Sequence, residues 1–135
     1  MAAARTCLVD ANVVLSFLDG RPEGQARAAE ALFAKAARGE LEIWVHPAVM
    51  AEVVYVATSR YGLALDRKHM ADVVARFLVM DGIVADGREA VLQALAIYAA
   101  SSLDWVDALL LAHLDQRQVF TFDAEMIARG ASQLA

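Results

Sequence analysis

Five acidic residues stand in four short apolar settings: Asp10 in LVDANV, Glu52 in HPAVMAEVVY, Asp104 and Asp107 in SSLDWVDALL, and Asp123 in VFTFDAE. Carboxylates gathered in one place repel one another. Such a group is tolerated mainly when a divalent cation neutralises it or when some members stay protonated. Mg²⁺ and Mn²⁺ favour carboxylate oxygen and keep several of their waters. A cation held this way lowers the pKa of a water and steadies the leaving oxygen of a phosphodiester, so no nucleophilic side chain is required. No serine or cysteine in the chain reads as such a nucleophile, which agrees. Metal-dependent phosphodiester cleavage is therefore the leading reading.

Those acids need elements to carry them. Residues 5–9 (RTCLV) form a short apolar strand ending at Asp10. Asn12 can cap a helix over 12–19, closed by Asp19-Gly20-Arg21-Pro22. Residues 23–38 place Ala28, Leu32, Phe33 and Ala36 at helical spacing, with Gly39 as the stop. A strand is expected at 41–45 (LEIWV). Pro47 opens a helix that runs to about Tyr61. Asp66 caps a helix over 66–80, and residues 82–84 read as a short strand. Helices over 87–100 and 104–116, a strand at 118–122 and a helix from 123 to 129 complete the chain.

Apolar strands alternating with helices predict a parallel sheet covered on both faces. The expected fold is a three-layer α/β/α arrangement with a central parallel sheet of about four to five strands, in one domain spanning 1–135. Right-handed crossovers put the strand C-termini along one edge, where ligands of open α/β sheets bind. Asp10 and Asp123 both follow strands at that edge.

Each acid also has an ordinary structural explanation. Asp10, Asn12 and Asp123 suit helix caps. Asp104 with Asp107 resembles a cap and a first-turn acid, favoured by the helix dipole. Being three apart, the two share a helix face. Glu52 lies among Val49, Met50, Val53, Val54 and Val56, so partial enclosure is expected, and an enclosed carboxylate needs a partner or a metal. The Thr121 hydroxyl is expected beside Asp123 at the strand end. The joint placement of these residues, rather than any one of them, favours chemistry over capping.

Composition narrows the field. The net charge of −5 removes any general basic footprint for nucleic acid, although a bound cation reverses charge locally. No apolar run reaches the length of a membrane span, and residues 1–10 lack a signal-peptide core, so a cytoplasmic location is expected. The single Cys7 allows no intramolecular disulfide. With 59% hydrophobic residues, the chain has apolar surface to spare for a second copy or another protein. His46, His69 and His113 show no zinc-ligand spacing. Trp44 and Trp105 suit core or dimer packing better than base stacking.

With these pieces in place, the chain resembles the PIN-domain family, specifically the VapC-type toxin ribonucleases of toxin–antitoxin modules. The matching pieces are LVDANVVLSFL, HPAVMAEVVYV, SSLDWVDALLLAHL and VFTFDAEM, spanning 8–126. Asp10, Glu52, Asp107 and Asp123 match the family's acidic quartet; Asp104 matches a further acid, and Asn12 and Thr121 match polar supports. The resemblance implies a central parallel sheet, Mg²⁺ or Mn²⁺, endoribonuclease activity, dimerisation, and inhibition by a small antitoxin. One departure is that no final short strand is evident after Asp123.

Two rivals remain. An aspartyl-phosphate phosphatase or phospho-receiver commonly needs a lysine by the phosphoryl group, but Lys35 and Lys68 follow no strand. A catalytically silent PIN-like module that only binds RNA or protein is disfavoured by the retention of all four acids.

Overall fold

The computed structural model describes residues 5–134, so the N-terminal reading over residues 1–4 lies outside it. Two compact units divide the chain after Asp86. Among the described residues, no helix is long and apolar enough to cross a membrane.

The first unit holds β1 (Arg5–Leu8), α1 (Ala11–Asp19), α2 (Glu23–Ala37), β2 (Leu41–Val45), α3 (Pro47–Thr58), α4 (Arg67–Leu78) and β3 (Ile83–Ala85). Its three strands are parallel and ordered β1-β2-β3. The register aligns Cys7 with Ile43 and Ile43 with Ile83 on one face. Ile43 and Ile83 are buried there. On α2, Ala26, Ala29, Phe33 and Ala36 recur every three or four residues and turn inward. Phe33 packs edge-on against Phe77 of α4 and at 4.5 Å from Phe17 of α1, making an aromatic centre for this unit.

Local signals set the element ends. Gly20 closes α1 in the left-handed conformation, at φ 76°. Pro47 opens α3, where its missing N–H costs nothing. His46 precedes it, and its Nδ1 accepts from the Ala48 amide at 3.0 Å. Gly82 leads into β3 at φ +85°, and a Cβ there would lie 2.5 Å from the Ala36 carbonyl oxygen.

The second unit holds α5 (Arg88–Ala99), α6 (Trp105–Leu111), β4 (Phe120–Thr121), α7 (Ala124–Ala128) and β5 (Ser132–Gln133). The strands β4 and β5 pair in parallel. Leu103, Leu111, Met126 and Ala131 form the core, with Ile97, Leu114 and Val119 against it.

The mixed α/β class with parallel strands is as expected, but several details differ. The sheet has three strands rather than four to five, and a separate pair, β4-β5, stands in the second unit. The final strand that the sequence did not reveal is present as β5. At two residues it is too short to leave a periodic signal. Leu8 and Val84, aligned through Trp44 on the second face, are exposed. The helix expected to run to Tyr61 ends at Thr58, because Ser59 turns to extended backbone at ψ 138°. The one expected over 104–116 stops at Leu111, and the strand expected over 118–122 shrinks to Phe120–Thr121.

Candidate active site

In the first unit, parallel strands leave β1 and β2 ending at the same sheet edge, where α1 and α3 begin. Asp10 sits at that edge in extended backbone. Its Oδ1 accepts from the Val13 amide at 3.1 Å. Asp10, not Asn12, is therefore the cap of α1, and Asn12 is an exposed residue of the first turn. The capping bond fixes the carboxylate's direction and leaves Oδ2 for another partner. Glu52 lies five residues beyond Pro47, so about 7–8 Å along α3. It is exposed, contrary to the enclosure expected from its apolar neighbours. The reason is that α3 buries only one face, through Met50, Val53, Val54 and Ala57, although apolar residues surround the helix.

In the second unit, α6 and α7 carry the remaining acids. Asp104 is the N-cap residue of α6, yet its side chain makes no capping bond. The capping explanation thus fails for its carboxylate, which is exposed. Asp107 follows in the first turn and is half-buried. Burial, then the charges of Asp104 and Asp123, push its pKa above the ordinary aspartate value. The Asp107 carboxyl therefore feels both neighbouring acids.

Asp123 is held from both sides. Its amide donates to the Thr121 hydroxyl at 3.0 Å, and its Oδ1 accepts from the Met126 amide at 2.9 Å. The Thr121 hydroxyl also meets the Met126 sulfur at 3.5 Å. The Thr121 hydroxyl thus lies beside Asp123 at the strand end, as its place two residues earlier predicted.

A clamp invisible in the sequence pattern joins these elements. The Ser102 hydroxyl donates to Glu125 Oε1 at 2.6 Å, and the Ser102 amide to Oε2 at 3.4 Å. Arg129 reaches the same Oε2 at 3.5 Å and donates to the Ala100 carbonyl at 2.9 Å. The hydrogen bonds from Ser102 come first in holding the Glu125 carboxyl below its ordinary range, with Arg129 adding to them. The turn before α6 is thereby tied to α7, and with it the acids that each helix carries. Only Ser101-Ser102 hinted at this, as a break between helices.

Aspartate, glutamate and threonine oxygens make a hard donor set, suited to Mg²⁺ or Mn²⁺ rather than to zinc. Among the described residues, no three or more His, Cys, Asp or Glu side chains stand close enough to form a ready-made metal cage.

The PIN domain family matches residues 7–131, and the chain belongs to that family. PIN domains are generally nucleases, and divalent metal ions are typical of them. No curated protein and no solved structure gives a match.

Proposed function

We propose that this chain is a Mg²⁺- or Mn²⁺-dependent endoribonuclease acting as one PIN-like domain, the toxin of a type II toxin–antitoxin module. Asp10, Glu52, Asp107 and Asp123 are the metal-binding and catalytic residues in this reading. Asn12, Asp104 and Thr121 support them. The observation that carries it is the half-buried Asp107 carboxyl in the first turn of α6, its pKa raised by burial and then by the charges of Asp104 and Asp123, in a chain whose family consists generally of nucleases. A cation would be stabilising beside a carboxylate whose ionised form is disfavoured in this way.

Within the proposal, each residue has a definite task. Asp107 has a pKa raised by burial and by the Asp104 and Asp123 charges, so its ionised form would gain from positive charge nearby. Thr121 and the Met126 amide aim Asp123. The Val13 amide aims Asp10. A bound Mg²⁺ or Mn²⁺ would activate water and neutralise charge on the phosphodiester. Such ions commonly use one or two protein carboxylates and complete their shell with water and substrate phosphate, so a full protein cage is not required. The cation also offsets the net charge of −5, which otherwise repels RNA.

The partners in this reading are an RNA substrate, a cognate antitoxin and a second copy of the chain, in the cytoplasm. The direct test is cleavage of a mixed RNA substrate by purified protein. Mn²⁺ or Mg²⁺ at millimolar concentration should support it and chelation should stop it. Equal cleavage with and without chelator defeats the metal assignment; RNA binding without cleavage points to a silent module.

A further inference from the structure

A cleft of about 390 Å³ opens between α1 and α2. It starts at Asp10 and Asn12, passes Ser16 and Gln25, and is walled by Ala28 and Leu32. Ser16 is the one buried polar or charged side chain among the described residues, at 6% exposure. Its hydroxyl donates to Gln25 Oε1 at 3.5 Å, a distance at the outer limit of a hydrogen bond. A buried hydroxyl so weakly compensated costs free energy, and a ligand atom in the cleft would recover it. The same contact holds the exposed Gln25 amide over the cleft, with its NH₂ group directed to no described partner.

We propose that this cleft binds the nucleobase beside the scissile phosphate of an RNA strand, with adenine preferred; the inference rests on the nuclease reading above. Position, charge, size and pairing chemistry converge on that occupant. Position comes from continuity with Asp10, a residue assigned to the reaction. The lining carries no cation, and Asp10 at the mouth repels phosphate or an acidic side chain, whereas a neutral ring is accepted. The volume lies within the range of small-molecule pockets, and alanine in the wall leaves room for a flat ring. A glutamine amide pairs with adenine in two bonds, its oxygen accepting from N6 and its NH₂ donating to N7. Single-stranded RNA exposes that edge. An acidic protein gains little from phosphate contacts, so contacts to bases must carry more of its recognition.

The test has two arms on the full chain. In the first, the ¹⁵N-labelled side-chain amide of Gln25 is followed by NMR as 5′-AMP or 5′-UMP is added. AMP should move it, UMP should move it much less, and Ala28→Trp should abolish the response by filling the cleft. In the second, cleavage sites in a random RNA pool are mapped for wild type and Gln25→Ala. Alanine is a good helix former and Gln25 is exposed, so the fold should be kept. Wild type should prefer adenine beside the cut, and Gln25→Ala should lose about 5- to 150-fold of that preference, the span of one bidentate pair. An unmoved Gln25 amide, with the same cleavage sites in wild type, Gln25→Ala and Ala28→Trp, overturns the inference and leaves the nuclease reading standing; a peptide occupant gives this same result. AMP bound at Gln25 without any RNA cleavage upholds the base site and fails the nuclease reading instead.

Discussion

The Ser102 hydroxyl donates a 2.6 Å hydrogen bond to Glu125, and that bond ties the turn before α6 to the helix that Asp123 caps. Two acid-bearing helix starts are thereby held by a side chain that is itself no candidate for the reaction.

Glu125→Ala should lower the melting temperature and weaken RNA cleavage. Glu125→Gln, which can still accept from Ser102, should lose less of both. The Glu125 pKa is depressed in the fold, so its contribution is present above the ordinary value of 4.5 and fades as pH falls through the lower folded value. Thermal melts of wild type and Glu125→Gln should therefore differ at pH 7 and converge on acidification well below 4.5. A gap that stays constant across that range would show that the carboxylate's charge plays no part.

Asp107 has the opposite sign. Its folded pKa is raised above the ordinary 3.8, so its ionised form disfavours the metal-free fold at neutral pH. Stability should rise as pH falls through the folded value and level off below the unfolded one. Asp107→Asn should accordingly melt higher than wild type at pH 7 in chelator, with the gap closing below about pH 3.8. Saturating Mn²⁺ should narrow or reverse that gap. An Asn variant that melts lower in chelator would contradict the cost of ionising Asp107 in the fold, on which the metal reading rests.

Gly82→Ala should destabilise the first unit by about 1–3 kcal/mol or more. The new Cβ would face the Ala36 carbonyl at 2.5 Å, and φ +85° is strained for alanine. Urea unfolding measures this directly, and a loss under 0.5 kcal/mol would show that α2 can move away.

The proposed homodimer has candidate surface in Tyr55, Tyr61 and Val79, which are 73%, 89% and 60% exposed. Light scattering should give twice the chain mass, and Tyr55→Asp should shift the population toward monomer. A monomer at all micromolar concentrations rules the dimer out.

Much of the local structure was legible in the sequence. The β1 and β2 strands, the Pro47 start, the Asp66 cap and the Thr121–Asp123 turn follow from short-range chemistry, which a pattern records. The sequence also pointed to the acids, since each lies beside an apolar run. What stayed hidden depends on tertiary placement. Apolar residues all round α3 suggested enclosure for Glu52, yet Tyr55, three residues on, is also exposed. Asn12 and Asp10 are both good caps, and only the backbone angles select Asp10. The Ser102–Glu125 bond spans 23 residues and the Ser16–Gln25 contact crosses two helices, so neither leaves a periodic trace.

The central claim is that these carboxylates carry metal-dependent RNA hydrolysis, and Asp107→Asn with Asp10→Asn tests it most directly. Single-turnover cleavage of RNA in Mn²⁺ should fall by orders of magnitude in each variant while circular dichroism shows an unchanged fold. Cleavage at the wild-type rate by both variants, from preparations free of contaminating nuclease, would contradict the account.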